Sequence, residues 1–405
     1  MREHRRFLAL LALFAALLAA LPLLDFALIV RSGEYERLDR VVQLQHETGA
    51  LYGSALHDTR GELPLEIVRH RQPEIIALGS SRPLDFRQEY FTHPFACACG
   101  GMDSIEDGET YMQEILARAR PKLVLFALDF WWFTTPEPHR RSPMNLEATG
   151  ELTRAKILRP LEWVWEGTLT PREYLRLLGG ERNLFAAVPR PKIGVMAIKR
   201  GIGLRADGSL LHGIRLGQAG LDFYAPMRAQ VLNARRFVMT EGRRKGEPTR
   251  FGPDNVLYPE RLRSLDRVLA KLKAGGVRVI LLLPPVAPSV AKAMAESGRH
   301  TVLADLDREL RARGLEYHNF HDPAALHSGV CEFADAYHAG NVTYMRMLRA
   351  MLQARPSSPL APYVDRQRID AAIARYAGRT IVPFESDGEL PPEVDFLGAG
   401  CRRGA

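Results

Sequence analysis

The chain opens on one long apolar block, 24 residues from Phe7 to Val30, broken only by Pro22 and Asp25. At helical rise that block reaches about 36 Å, enough to cross a bilayer core of roughly 30 Å. The pattern predicts a single membrane-spanning helix over residues 7–30, with the bilayer as its partner. Arg2, Arg5 and Arg6 precede it, which holds that end in the cytoplasm and places everything after Arg31 outside, as in a single-pass inner-membrane protein with an extracytoplasmic or periplasmic domain. The length of the run and the lack of a small-x-small cleavage site favour an anchor over a cleaved signal peptide. Asp25, near the outer end, is expected at the membrane interface.

Later apolar runs are short, and most do not alternate. Ile75 to Leu78, Phe95 to Cys99, Leu123 to Leu128, Val277 to Leu283 and Leu315 to Phe320 read as strands, and those without alternation as strands covered on both faces of a parallel sheet. Between them apolar residues recur at helical spacing: from Ile105 to Arg120, from Tyr258 to Lys273, from about Thr301 to Arg313, and after Asn341, where Val342, Met345, Leu348 and Leu352 share a stripe. Asn341 is the expected N-cap of that closing helix. Strands alternating with helices predict an α/β fold, a doubly wound, mostly parallel five-stranded sheet.

Breaks in this rhythm set the remaining boundaries. Residues 1–32 are the cytoplasmic N-terminus and anchor, 33–72 a lead segment packing on the main domain, 73–355 the α/β domain, and 356–405 a tail with one helix near Val364 to Tyr376. At about 142–250 the rhythm gives way to an irregular insertion carrying Trp163, Trp165 and a hairpin signal from Leu204 to Leu210 around Asp207-Gly208.

Composition changes this picture little. The chain has 405 residues, 46% of them hydrophobic and 25% charged, as in globular proteins. Its net charge of +8 comes from dispersed arginines, and no basic motif interleaved with aromatics points to nucleic acid. Four cysteines are too few for a disulfide scaffold.

Chemistry collects at the strand ends, where open parallel sheets bind ligands. The first strand ends in Gly79-Ser80-Ser81, which by itself reads equally as a serine turn or a helix N-cap. After the last strand come Asp335 and His338, the one D-x-x-H of the chain, spaced so that a carboxylate can orient an imidazole. Gly100-Gly101 follows the second strand. Asp129-Phe130-Trp131-Trp132-Phe133 follows the third, its aromatics expected as core or as a pocket wall. Arg82 is a candidate for holding a substrate anion or for a structural ion pair. His318, His321, His327 and His338 show no metal-ligand spacing, and no cofactor is implied.

In these blocks, taken in order, the sequence resembles the SGNH, or GDSL-type, hydrolase superfamily, over Pro73 to about Arg140 and Phe251 to about Arg355. The resemblance implies a flavodoxin-like sheet and a triad of Ser81, His338 and Asp335, with Ser80 where that family usually carries aspartate. It implies an oxyanion hole from the amides of Ser81 and Gly101, or its neighbour Gly100, with Arg82, Asp129, Trp131 and Trp132 lining the site. The Gly-Ser-Ser variant is similar to membrane-anchored members that help acylate cell-surface polymers, such as the D-alanyl-lipoteichoic acid and alginate acetylation proteins. The implied function is a serine esterase or O-acyltransferase acting on an ester of a cell-envelope glycan or polymer, with a membrane-bound acyltransferase as candidate partner.

One block departs from the family pattern. Asp129 stands where the asparagine is expected, and an ionised carboxylate cannot donate to an oxyanion; losing one such donor costs about 100- to 1000-fold in rate. A catalytically silent module that binds glycan or an acyltransferase is therefore the alternative. Convergence of the loops after strands two and five would bring Cys97 or Cys99 near Cys331, which makes a disulfide between them a candidate pairing.

Overall fold

The unbroken apolar runs become the central strands. In the computed structural model, which describes residues 2–134, 153–184, 190–212, 227–240, 250–253, 255–384 and five positions between 395 and 401, the strands in chain order are β1 (Leu51–Tyr52), β2 (Ile75–Gly79), β3 (Phe95–Cys99), β4 (Leu123–Ala127), β5 (Lys192–Ile193), β6 (Gly203–Leu204), β7 (Leu210–Leu211), β8 (Arg278–Leu283) and β9 (Glu316–Asn319). Residues 135–152, 185–189, 213–226, 241–249 and 254, which take in parts of the expected insertion, and parts of the tail lie outside the described residues.

Five strands form one sheet in the order β3-β2-β4-β8-β9, every pair parallel. Each residue of β2, β3 and β4 is buried, so both faces are covered, which is why these runs lack polar alternation. The helices Glu62–Arg71, Asp107–Arg118 and Pro259–Ala274 pack side by side. Counted along the chain, the sheet order is second-first-third-fourth-fifth. The direction of winding reverses at β2, which makes the crevice beyond the tips of β2 and β4 the position where such sheets take ligands.

A second sheet, β5-β1-β6-β7, joins the lead segment to the insertion. β1 pairs parallel with β5 and antiparallel with β6, and β6 with β7 forms the hairpin expected from the sequence. Its turn docks on the main sheet: the Cys97 amide donates to the Asp207 carbonyl at 2.7 Å, and the Gln88 amide to the Asp207 carboxylate at 2.7 Å.

The N-terminal helix runs from Arg2 to Ser32 and is long and apolar enough to cross a membrane. Its last turns pack on the helices Arg154–Trp165 and Pro171–Leu178, where Asp25 accepts a 2.8 Å hydrogen bond from Tyr174.

Two expectations are corrected. Asn341 is the first residue of the helix Asn341–Ala354 rather than its cap. Its side chain turns inward, donating to Asp85 Oδ1 at 2.8 Å and accepting from the Val382 amide at 3.1 Å, because a buried carboxylate competes for the amide. Cys331 does not pair with Cys97 or Cys99. Those two lie two residues apart on β3, with side chains on one face, and bond to each other, while Cys331 bonds to Cys401 of the returning tail. The apolar N-terminal helix and two disulfides together point to extracytoplasmic or membrane association.

Candidate active site

Ser81 is delivered by a glycine that admits no side chain. A Cβ on Gly79 would stand 2.7 Å from the Ala127 carbonyl and 3.0 Å from Pro83, so the tips of β2 and β4 close only around glycine. The chain then turns through the 3₁₀ helix Arg82–Asp85, with Ser81 at its N-cap.

Across 257 residues of sequence, Ser81 Oγ meets His338 Nε2 at 2.9 Å, and His338 Nδ1 meets Asp335 Oδ2 at 2.6 Å. The second Asp335 oxygen accepts the amides of Tyr337 at 2.8 Å and His338 at 2.7 Å, and a bridge between Phe333 and Ala339 closes the loop that carries both residues. Burial raises the Asp335 pKa, but His338 and the two amides outweigh it and hold the carboxyl below its usual range. An ionised Asp335 puts the imidazole proton on Nδ1, which leaves Nε2 to accept from the serine hydroxyl.

The amides near Ser81 divide by occupation. Gly100 N–H is committed to the carbonyls of Gly79 at 3.1 Å and Ser80 at 2.8 Å, which removes it as an oxyanion donor. Those of Ser81 and Gly101 donate to no protein acceptor among the described residues. Gly101 is held against Tyr111, whose ring carbon would lie 2.3 Å from an added Cβ.

Four expected lining residues sit beneath the site instead. Arg82 is fully buried and donates to the carbonyls of Pro284 and Pro285, both at 2.7 Å, to the Tyr337 carbonyl at 3.1 Å and to Asp129 at 3.2 Å. It therefore ties the Ser81 turn to the ends of β4 and β8 and to the residue before His338. Asp129 is its buried counter-ion; burial raises the Asp129 pKa, and the pull of Arg82 and of the Ser80 hydroxyl does not fully offset it. Trp131 and Trp132 are buried, and Trp131 lies under the Arg82 guanidinium at 5.2 Å and beside Phe251 and Tyr337. The five donors of a guanidinium need acceptors once buried, and the strand-end carbonyls supply them.

Sequence reasoning missed two parts of the site. A cavity of about 660 Å³ opens beside Ser81, Asp335 and His338, with Ser54, His57 and Arg60 of the lead segment on one wall and apolar side chains such as Leu84, Met196 and Ile202 on others. Nothing in the pattern of residues 53–60 signals this. A second imidazole–carboxylate pair, His212 Nε2 to Asp85 Oδ2 at 2.9 Å, also borders the cavity, and Asn341 fixes its carboxylate. The signal for His212 was its place directly after the predicted hairpin. Burial lowers the His212 pKa, yet Asp85, helped by Asp335, brings it net above the usual value.

No protein-family model matches the chain, and no curated protein matches it. The geometry of the site therefore carries the functional reading.

Proposed function

We propose that the protein is a membrane-anchored, extracytoplasmic serine esterase or O-acyltransferase of the SGNH type, acting on an ester of a cell-envelope glycan or polymer. The observation that carries the proposal is the Ser81–His338–Asp335 relay at 2.9 and 2.6 Å, assembled at the tip of the strand where the sheet order reverses. The all-parallel sheet in second-first-third-fourth-fifth order is the flavodoxin-like arrangement, which supports the resemblance noted from the sequence motifs. The N-terminal helix is the anchor in this reading, with the α/β domain outside.

In the first half-reaction Ser81 Oγ attacks the ester carbonyl while His338 Nε2 takes its proton. The amides of Ser81 and Gly101 hold the oxyanion, and collapse returns the proton to the leaving alcohol, so an acyl-Ser81 remains. Water or a sugar hydroxyl, deprotonated by His338, then takes the acyl group; the first acceptor makes an esterase and the second a transferase. The alternative of a silent module rested on Asp129, and its pairing with Arg82 gives that residue a structural occupation, which favours the catalytic reading.

A fluorophosphonate probe tests this on the full chain. The folded protein should label, Ser81→Ala should not, and Ser80→Ala should retain the label. Absence of labelling in the folded protein, or a label lost with Ser80 rather than Ser81, refutes the assignment.

A further inference from the structure

Among its described side chains, the N-terminal helix is packed only at its outer end. Leu28 is buried with Trp163, Leu169, Leu177, Val195 and Ile198, whereas Phe7, Leu8, Leu10, Leu11, Leu13 and Phe14 are exposed. From Phe7 to Leu24, 18 residues rise about 27 Å, close to the roughly 30 Å of a bilayer core. The hydrocarbon is thus filled before the chain reaches Asp25, whose partner Tyr174 lies on the helix Pro171–Leu178. The helices Arg154–Trp165 and Pro171–Leu178 are therefore fixed at the height where the span leaves the membrane.

Their outward faces carry apolar side chains among charged ones. Leu158, Leu161 and Trp165 are exposed at i, i+3 and i+7, one stripe along the helix Arg154–Trp165, and Leu175 is exposed on the neighbouring helix. Trp165 is 93% exposed, whereas the other three of the chain's four tryptophans are buried. Arg154, Arg159, Arg172 and Arg176 stand on the same two helices, all exposed; Arg159 pairs with Glu162 and Glu166 and Arg176 with Glu181, while the stems of Arg154 and Arg172 are long enough to carry their charges to headgroups. Indole rings and basic side chains around an apolar stripe are the composition of a surface lying in the membrane interface.

We infer that these two helices form a platform lying on the outer bilayer surface, with lipid headgroups and the upper acyl chains as the occupant of the Leu158–Leu161–Trp165 stripe. The inference rests on the reading of the N-terminal helix as a membrane span. It adds that the catalytic domain is seated on the membrane rather than tethered above it. Ala55 and Leu56 pack against the Leu28–Trp163 cluster and also line the cavity beside Ser81, so one wall of the active site backs onto this membrane-level layer.

Trp165 supplies the probe. The full chain, one copy per nanodisc of phosphatidylcholine and phosphatidylglycerol, is titrated with lipids brominated near the headgroup and, separately, with aqueous acrylamide. The headgroup-proximal bromolipid should quench the tryptophan emission, and Trp165→Phe should remove roughly half or more of that quenching. Leu158→Glu with Leu161→Glu should move Trp165 toward acrylamide. A Trp165 quenched by acrylamide and untouched by bromolipid overturns the inference; a Trp165 shielded from both assigns the stripe to protein instead and also overturns it. Extraction with alkaline carbonate separates the two readings. Release of the protein removes the span and the inference with it, whereas retention with a water-exposed Trp165 removes the platform alone.

Discussion

Arg82 and Asp129 pair at 3.2 Å with almost no solvent on either side chain, directly beneath the turn that presents Ser81. This pair gives the aspartate at the third block a purpose other than oxyanion binding. Breaking a buried pair strands a charge, at a cost of about 3 to 5 kcal/mol. Asp129→Asn should therefore lower stability by about that amount in urea denaturation and should not speed ester hydrolysis. If the position were a vacated oxyanion donor, the same variant would gain about 100- to 1000-fold in rate.

Asp335 lies behind His338 and accepts two amides as well as the ring N–H, so its removal acts on the imidazole rather than on substrate contact. Asp335→Asn keeps one acceptor oxygen but favours the wrong tautomer, and kcat should fall about 10⁴-fold. KM for a small activated ester should hardly change. A loss below tenfold would show that His338 does not depend on this carboxylate.

Gly101 has no room to grow, because a Cβ would meet the Tyr111 ring at 2.3 Å and that ring is itself buried, its hydroxyl bonded to the Gly61 carbonyl at 3.3 Å. Gly101→Ala must move the loop, and with it the amide proposed to hold the oxyanion. The expected result is a fall of about 100-fold or more in kcat. A variant that keeps wild-type kcat with an unshifted melting temperature would dismiss Gly101 from the site.

The main sheet was legible because strands buried on both faces need no polar alternation; Ile75 to Leu78 and Leu123 to Leu128 could be little else. Ser81 was legible because it follows such a strand, and Asp335 and His338 because they come after the short edge strand β9; the sheet order brings those ends together. The second sheet was not. β1 and β5 are two residues each, with no period to read, and pair across more than a hundred residues of chain. That hid the lead segment's role as a cavity wall. Asn341 looked like a cap because its competitor, Asp85, becomes a neighbour only through folding. Arg82 has the same difficulty, since three of its partners are backbone carbonyls, which a sequence does not distinguish.

His212 and Asp85 make stability depend on pH with a defined sign. The folded His212 pKa is raised above 6.5, so the native state binds the proton more tightly than the unfolded chain. Its contribution is complete below about pH 6.5 and is lost as pH rises through the folded value. Melting temperature from pH 6 to 9 should therefore fall more in the wild type than in His212→Gln. Parallel curves would show that the pair holds no proton at neutral pH. Asp335, with its pKa lowered, gives the opposite edge: its stabilisation is present above its unfolded value and fades as pH falls through the folded one.

The Cys331–Cys401 bond closes a loop with a sequence separation of 70 and pins the tail beside the segment that carries Asp335 and His338. Thr380 strengthens the same junction, its hydroxyl donating to the Cys331 carbonyl at 2.9 Å while its carbonyl accepts from the Asn341 amide at 2.8 Å. On chain-entropy grounds a loop of that length contributes about 4 kcal/mol. Cys331→Ser and Cys401→Ser should each lower stability by about that amount, and the double variant by no more than either alone, since both remove one bond. Peptide mapping without reduction should recover the Cys331 and Cys401 peptides joined. A Cys331 peptide joined to one carrying Cys97 or Cys99 would mean that the tail is held by something other than this bond, and the equal effects of the two variants would then disappear.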